Sequence, residues 1–301
     1  MELERIPLTE PEKLIKPKFK ERYSKLTDWD TFIRYSLSFL RKSIRINTLK
    51  ISIEALKQRL EKDWILEPIP WCKEGFWIKS KTGRLDVGNT IEHALGYYFV
   101  QEAAAMIPVI ALEPKPGEII LDMCASPGGK TTQIAQYMQN TGAIIANDVN
   151  LERIAALSLN VQRIGALNVI ITQQSGVKFK AQIFDRCLVD APCSGTGVIR
   201  KSIATLKMWN PKMITRLSNL QKKLLATAFN VTKPGGIIVY STCSLEPEEN
   251  EGVINWLIQN FENVELLDIH LPINRSQPIL NWENEVFDMQ VSKCLRLWPQ
   301  D

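Results

Sequence analysis

Apolar runs alternate with amphipathic windows along the C-terminal two thirds of the chain. After Gly117 the runs have the length of buried strands, and between them apolar residues recur at helical spacing. Parallel strands need a crossover connection, which is usually a helix, so this alternation predicts an α/β fold with a mostly parallel sheet wrapped by helices. The predicted strands are EIILDMC, AIIAND, NVIITQ, FDRCLVDAP and GGIIVYSTCS, with helices over 131–139, 151–165 and 211–231 and weaker later strands at VELLDI and CLRLWP.

The pattern before Gly117 is different. KSIRINTLKI alternates in polarity as a half-buried strand does, SIEALKQRLEK predicts a helix, and WILEPIPW and GFWIKS predict two more strands. These elements form a small β-α-β-β unit over about 43–80. Helices are also predicted over Leu26–Leu40 and, as one long buried helix, over IEHALGYYFVQEAAAMIPVIAL. The proline-rich segment EPKPG then predicts a boundary between an N-terminal region, 1–112, and a larger domain, 113–301.

Several protein classes are disfavoured by composition. No window of eighteen uncharged apolar residues exists, and the N-terminal segment lacks the apolar core of a secretory signal. The six cysteines include no CxxC pair, and only two histidines are present, so a zinc site or a disulfide framework is not expected. We therefore expect a soluble, cytoplasmic protein with reduced thiols and no metal.

Positive charge is concentrated near the N-terminus. The net charge is +4, yet residues 13–50 carry eleven Lys/Arg against three Asp/Glu. This segment is either a solvated helix face or a surface that contacts a polyanion. Aromatic side chains among the charges favour nucleic acid. These aromatic residues are Phe19, Tyr23, Trp29, Phe32 and Tyr35.

A glycine-rich turn joins EIILDMC to the next helix. The turn, ASPGGKTT, presents backbone N–H groups and a helix N-terminus, which bind anionic or polar groups. A P-loop, GxxxxGKT, would need glycine at Cys124, so a nucleoside triphosphatase is the nearest alternative. Asp148 ends the second strand 20 residues beyond Gly128, and an acidic residue there suits the ribose of an adenosine-containing cofactor. The alternative is that Asp148 only caps the following helix.

Two cysteines follow the ends of two predicted strands. One strand runs into Asp190-Ala-Pro-Cys193, and another into Ser-Thr-Cys243. If these strands are neighbours, about 5 Å apart, the two thiols face one pocket. The other strand and loop cysteines, Cys72, Cys187 and Cys294, are expected to be small buried apolar residues.

Two thiols beside a carboxyl group suit methylation of cytosine at C5. C5 is a poor nucleophile until a thiolate adds to C6 of the ring. A carboxyl such as Asp190 can supply the proton or hydrogen bond that N3 then needs. A second thiol can assist when the C5 proton and the attacking cysteine leave.

At these residues the chain resembles the Sun-type (NOL/NOP/Sun) RNA cytosine-5 methyltransferase family. The matching segments are CASPGGKT at 124–131, ANDVNLER at 146–153, VDAPCSGTG at 189–197 and YSTCSLEPEENE at 240–251, and the resemblance covers about 40–260. It implies a Rossmann-like class I methyltransferase fold and S-adenosylmethionine as cofactor. DNA cytosine-5 methyltransferases use the Pro-Cys thiol as nucleophile, so the presence of both cysteine motifs favours RNA.

The resemblance also implies roles for single residues. Cys243 would be the nucleophile, Cys193 would aid product release, Asp190 would hold N3, and Lys130 would lie at the catalytic pocket. The implied cofactor contacts are Cys124, Ala125, Ser126, Pro127, Gly128, Gly129, Lys130, Asp148, Arg153, Ser175 and Asp190.

The chain departs from the family pattern at two places. Ser175-Gly176 stands where relatives carry Asp-Gly beside the adenine, and the sequence stops at Asp301 where relatives continue into a final strand. The compact N-terminal unit resembles archaeal members that act on tRNA, so tRNA is favoured over rRNA. The residues expected to contact RNA are Arg41, Lys42, Arg45 and Asn47. A non-catalytic RNA-binding module with a vestigial fold is the remaining alternative.

Overall fold

The structure is a computed structural model that describes residues 11–301. Two compact units form within it. The first, called here the sheet unit, comprises Arg41–Ala191 and Leu224–Ser241. The second, called the thiol unit, comprises the described residues up to Leu40 together with Pro192–Lys223 and Thr242–Asp301. The predicted boundary at residues 112 and 113 stays a prediction.

The helices and strands are numbered in chain order. The helices are α1 (Pro17–Leu26), α2 (Trp29–Ser36), α3 (Ile53–Leu60), α4 (Ile91–Ala94), α5 (Ile107–Leu112), α6 (Gly129–Tyr137), α7 (Leu151–Ile164), α8 (Ala204–Met208), α9 (Pro211–Val231) and α10 (Glu251–Asn260). The strands are β1 (Ser43–Ile46), β2 (Trp64–Ile69), β3 (Cys72–Ser80), β4 (Tyr98–Val100), β5 (Ile119–Asp122), β6 (Ala143–Asp148), β7 (Val169–Gln173), β8 (Phe184–Asp190), β9 (Thr232–Ser241), β10 (Asn281–Trp282) and β11 (Glu285–Val286).

The sheet unit is built on a parallel sheet of five strands in the order β7-β6-β5-β8-β9. Apolar residues of the central strands are fully buried on both faces, as the continuous apolar runs predict. The α/β prediction is therefore confirmed. The strand order reverses between β5 and β8, and ligands of such sheets bind beyond the carboxyl ends of the strands at that point.

An antiparallel sheet in the order β2-β3-β1-β4 forms the N-terminal part of the sheet unit. The predicted β-α-β-β unit is confirmed, but the long helix expected after it is wrong. α4 ends before Gly96, which has φ +72°, and a Cβ there would lie 1.8 Å from the Arg163 carbonyl oxygen. The chain then becomes β4, which pairs with β1 through Ile44 and Val100.

The thiol unit has an aromatic core. Phe19, Tyr23 and Phe32 are buried, and the Tyr23 and Phe32 rings stack at 4.7 Å. These three aromatic side chains therefore do not form a nucleic-acid surface, because packing removes them from solvent. Trp29 and Tyr35 are only partly buried, and an RNA contact there stays a prediction. The helix predicted over Leu26–Leu40 is shorter than expected, because the Asp28 side chain caps a new helix, α2.

Two predicted late strands do not form in the thiol unit. VELLDI is irregular, and in CLRLWP a single residue, Arg296, bridges to Ser276. The Arg296 guanidinium instead binds Glu251 of α10 and the Leu245 carbonyl, so side-chain bonds hold this segment. Within the described residues β9 is the last strand of the parallel sheet.

Among residues 11–301, no helix has both the length and the apolar character needed to cross a membrane. In the same range no group of three His, Cys, Asp or Glu side chains is arranged to hold a metal ion.

Candidate functional site

The glycine-rich turn lies between β5 and α6. Gly128 has φ +103°, a conformation that favours glycine, and α6 begins at the next residue. α7 holds the turn from one side, because Arg153 Nη2 donates to the Ser126 carbonyl oxygen at 2.8 Å and Asn160 donates to the Pro127 carbonyl oxygen at 2.9 Å. The backbone N–H groups at the start of α6 are thereby fixed.

Asp148 ends β6, and its side chain is only 2% exposed. Its Oδ1 accepts a hydrogen bond from the Asn150 N–H at 3.0 Å. Its Oδ2 has no hydrogen-bond partner among the described residues, although Arg153 Nη1 lies 3.4 Å away. The cap of α7 is Asn150, so the interpretation of Asp148 as a helix cap is wrong. A buried carboxylate oxygen without a donor fits a ligand that carries hydroxyl groups.

Two further carboxylates follow the same edge of the sheet. Burial raises the pKa of Asp122 to about 7, although Thr131 Oγ1 donates to its Oδ2 at 2.7 Å. Asp190 ends β8, where Lys130 Nζ donates to its Oδ2 at 2.7 Å and Ser241 Oγ donates to its Oδ1 at 2.8 Å. The structure therefore brings Lys130 and Asp190 together, as the predicted pocket requires.

Ser175 follows β7 and precedes a short 3-10 turn, Gly176–Lys178. Gly176 is tightly enclosed, because a Cβ there would lie 2.7 Å from a Leu224 side-chain carbon and 2.8 Å from a Met123 side-chain carbon. Residue 175 is thereby held at the carboxyl end of β7. An adenine contact from Ser175 stays a prediction.

In the thiol unit, the sulfur atoms of Cys193 and Cys243 lie 3.1 Å apart. Cys243 is exposed and Cys193 is partly buried. Their loops are joined by a hydrogen bond from the Gly197 N–H to the Cys243 carbonyl oxygen at 2.9 Å. The pKa of Cys193 is raised well above its usual value by the hydrogen bond with Cys243, then by burial and by the charge of Glu249. One thiol is thereby biased to keep its proton beside the other.

The two sulfur atoms meet because their loops follow adjacent strand ends. Asp190 of β8 lies opposite Ser241 of β9 in the sheet. Cys193 comes three residues after Asp190, and Cys243 comes two residues after Ser241. The predicted pairing of the two thiols is thus explained by the strand order, whereas their separate roles remain predictions.

The family is decided by comparison with known proteins. Residues 109–301 match the family described as 16S rRNA methyltransferase RsmB/F. Residues 15–103 match the N-terminal domain of 16S rRNA methyltransferase RsmF. The chain belongs to the RsmB/F methyltransferase family. The resemblance to Sun-type methyltransferases is confirmed, and a P-loop triphosphatase is excluded.

Two RsmB/F relatives show the range of the similarity. The tRNA (cytosine(49)-C(5))-methyltransferase of Pyrococcus abyssi is 46% identical over 292 residues, which cover 96% of this chain and 93% of that protein. The ribosomal RNA small subunit methyltransferase F of Pectobacterium carotovorum is 45% identical over 239 residues, which cover 77% of this chain and 49% of that protein. The chain thus spans about half the length of the second relative.

Solved structures share the fold of this RsmB/F chain. A methyltransferase homolog protein from Pyrococcus horikoshii is similar with a TM-score of 0.81 and 36% identity, over 95% of each chain. NSun6 from Pyrococcus horikoshii has a TM-score of 0.74 at 23% identity over 87% of this chain and 93% of that one, which supports the fold alone.

Two residues predicted to contact RNA in this RsmB/F chain are instead buried. Arg45 and Asn47 are both 0% exposed. Arg45 donates to the Gly129 carbonyl oxygen at 2.8 Å and to Thr132 Oγ1 at 3.0 Å, and it also binds Gln101. The prediction is wrong for both residues, because neither side chain reaches the surface. Burial lowers the pKa of Arg45 to about 10, so the group stays protonated at neutral pH.

The other two predicted RNA contacts are exposed. Arg41 lies over the Trp77 ring at 4.2 Å and pairs with Glu67. Lys42 binds the Leu85 carbonyl oxygen. An RNA contact at Arg41 and Lys42 stays a prediction.

A second basic segment was not found from the sequence. No Asp or Glu lies between Asp190 and Glu246, while eight Lys/Arg do, and a charge count over the stretch between the cysteine motifs would have shown it. On α9 three of these cations are exposed at positions i, i+4 and i+11, which lie on one helix face. These three, called the α9 basic face, are Lys212, Arg216 and Lys223.

Asn147 was also missed in the sequence. It is buried, its Nδ2 donates to the carbonyl oxygens of Met123 and Gln174, and its Oδ1 accepts from the Thr172 hydroxyl. One amide therefore ties together the carboxyl ends of β5, β6 and β7. An asparagine at a strand end resembles any turn residue in the sequence, so only a three-dimensional contact reveals its role.

Proposed function

We propose that this chain transfers a methyl group from S-adenosylmethionine to C5 of cytosine in RNA. The observation that supports this most directly is the 3.1 Å separation of the Cys193 and Cys243 sulfur atoms. Membership of a methyltransferase family supplies the reaction class. A lone structural cysteine would explain neither the exposed sulfur of Cys243 nor its thiol partner.

The residues around the glycine-rich turn fit S-adenosylmethionine. When bound, this cofactor supplies an electrophilic methyl group on a sulfonium. We assign its ribose hydroxyl groups to Asp148, whose Oδ2 lacks a donor among the described residues. The further contacts are proposed as the turn Cys124, Ala125, Ser126, Pro127, Gly128, Gly129 and Lys130, together with Arg153, Ser175 and Asp190.

The thiol chemistry is assigned residue by residue. The exposed Cys243 adds as a thiolate to C6, which forms an S–C6 bond and moves electrons to C5, the carbon that takes the methyl group. Asp190, held by Lys130 and Ser241, keeps a proton at N3 and so offsets the added charge.

Cys193 acts as the hydrogen-bond donor to the sulfur of Cys243. When the C5 proton is lost to water, electrons return to the C5–C6 bond and the S–C6 bond breaks. The proton on Cys193 stabilises the departing thiolate, which agrees with the raised pKa of Cys193. Without that donor the RNA remains attached.

We favour tRNA over rRNA as the substrate and the cytoplasm as the location. The match to the tRNA methyltransferase of Pyrococcus abyssi covers 96% of this chain and 93% of that protein, whereas the match to the rRNA methyltransferase F covers only 49% of that protein. The α9 basic face and the exposed lysines of α1 offer charges for the RNA backbone.

The test is methyl transfer from labelled cofactor to tRNA and 16S rRNA transcripts, followed by bisulfite sequencing. Cys243→Ala should abolish transfer, and Cys193→Ala should leave a covalent RNA complex on denaturing gels. Equal loss in both variants without any adduct would refute the roles given to the two thiols. Modification of the rRNA transcript alone would refute the preference for tRNA, and absence of incorporation would favour a non-catalytic RNA-binding module.

A further inference from the structure

A buried carboxylate of the thiol unit lies between the two cysteine loops. Glu249 is 0% exposed and ends a 3-10 turn, Pro247–Glu249, which is separated from α10 by Asn250 alone. Its Oε2 accepts from the Ser194 N–H at 2.9 Å, and its Oε1 accepts from the Ser244 hydroxyl at 3.0 Å. Ser194 and Ser244 directly follow Cys193 and Cys243 in the sequence. One side chain therefore holds both loops at the residue after each thiol.

Further bonds close this network. The Ser194 and Ser244 hydroxyl oxygens lie 2.9 Å apart. Gln221 of α9 donates to Glu249 Oε2 at 2.8 Å and to the Pro192 carbonyl oxygen at 2.9 Å. Pro192 precedes Cys193, so the Cys193 loop is held on both sides of the sulfur. These buried hydrogen bonds restrain the two loops next to each thiol.

We propose that Glu249 is the positioning residue of the thiol pair: it sets the spacing of the two sulfur atoms and keeps their shared proton on Cys193, which leaves Cys243 as the nucleophile. The inference rests on the proposed function and extends it. The two thiols are chemically identical, so their surroundings must decide which one attacks.

The charges around the two thiols support keeping the proton on Cys193 and assigning the attack to Cys243. Two titratable groups of the described thiol unit, Cys243 and Glu249, raise the pKa of Cys193. A negative charge beside Cys193 disfavours a second one there, so the proton stays on Cys193 and points to Cys243. The greater exposure of Cys243 leaves its sulfur open to a base.

Glu249→Gln removes the negative charge of the side chain but keeps its hydrogen-bonding shape. The amide oxygen can accept from the Ser194 N–H and from Gln221, while the amide NH₂ can donate to the Ser244 hydroxyl. The network keeps its shape, and only the negative charge is lost. Glu248→Gln is the matched control, because it makes the same change one residue earlier, at a partly exposed carboxylate that pairs with Arg22.

The experiment measures alkylation of Cys193 by iodoacetamide as a function of pH, in a Cys243→Ser background, with mass spectrometry of the peptide that contains Cys193. In this background the second thiol is absent, so a change in the pH dependence of Cys193 alkylation reports the effect of residue 249 alone. Glu249→Gln should raise the alkylation rate at neutral pH by on the order of tenfold, which corresponds to a decrease of about one in pKa. Glu248→Gln should leave the profile unchanged.

A second measurement uses the chain with both cysteines. Glu249→Gln should lower the ratio of Cys243 to Cys193 labelling, whereas a purely structural role would change both rates together. Unchanged profiles and an unchanged ratio would overturn the proposal. If circular dichroism shows that the glutamine variant is unfolded, Glu249→Asp, which moves the charge away from the loops, should give a smaller shift in the same direction, and no shift would refute the inference. Neither RNA nor cofactor is needed, so the result is independent of the proposed methyl transfer.

Discussion

Asp148→Asn should weaken cofactor binding without weakening the fold. The asparagine Oδ1 keeps the hydrogen bond from the Asn150 N–H, so the start of α7 is unchanged. The ion pair that is lost, at 3.4 Å, involves a half-exposed Arg153, and such pairs contribute about 0–1 kcal/mol. The melting temperature of the unliganded protein should therefore change little.

The loss in affinity follows from the role of Oδ2. A hydrogen bond to a charged group contributes about 1.5–3 kcal/mol. At about 1.4 kcal/mol per factor of ten, the Kd of S-adenosylmethionine should rise roughly 10- to 150-fold. The assay is isothermal titration calorimetry with S-adenosylmethionine and with S-adenosylhomocysteine, which carry the same ribose and should be affected equally.

The control is Glu152→Gln, which removes an exposed carboxylate from the first turn of the same helix. It should bind both ligands as the unchanged chain does. Equal affinity of the Asp148→Asn variant and the unchanged chain would refute the assignment of the ribose to Asp148. A large drop in melting temperature would show instead that Asp148 supports the fold.

Three other predictions concern pH, stability and RNA. Burial raises the pKa of Asp122 from 3.8 to about 7. The stabilisation that the protonated carboxyl gives the fold should therefore be complete below about pH 4 and be lost as the pH rises to about 7. Urea unfolding should show this fall in the free energy of unfolding with pH in the unchanged chain and not in Asp122→Asn. Arg45→Met should lower the free energy of unfolding by about 1–3 kcal/mol because buried acceptors lose their donor, and an unchanged urea midpoint would contradict this. Glutamine at all three positions of the α9 basic face should reduce the slope of log K against log salt for RNA binding by about 2–3. The same change at Lys18, Lys20 and Lys25 measures how much of that slope comes from the predicted N-terminal surface. If neither triple variant changes the slope, neither surface contacts the RNA backbone.

The parts of the site that follow local rules could be predicted from the sequence. Strands that read as continuous apolar runs form the parallel sheet, and residues just past their ends lie at one edge of it. This rule placed Asp148 after β6 and brought Cys193 beside Cys243, since β8 and β9 are neighbours. The prediction of Asp148 likewise used only its sequence spacing from Gly128 and required no knowledge of long-range contacts.

Features that depend on distant contacts could not be predicted. β4 has three residues, and only its pairing with β1, through Ile44 and Val100, makes it a strand instead of part of a helix. Arg45 was expected at the surface because charged side chains are seldom buried. Its buried partners, such as Gln101 and Thr132, are distant in sequence, so no pattern in the residues next to Arg45 predicts these contacts.

The network of Glu249 shows the same limit in the thiol unit. In the sequence this residue is one of several acidic residues after Cys243, and a solvated charge is the ordinary expectation. Its burial depends on donors from α9 and from the loop after Cys193. A local pattern therefore finds the two thiols and cannot find the carboxylate between their loops.

The central claim is that Cys243 bonds covalently to cytosine in RNA. The most direct measurement is mass-spectrometric mapping of the adduct formed with tRNA that carries 5-fluorocytosine, in which the absence of a C5 proton prevents release after methyl transfer. The account predicts that the nucleotide is attached to the sulfur of Cys243 and carries one added methyl group. Attachment at Cys193, or a methylated product without any protein adduct under these conditions, would contradict it.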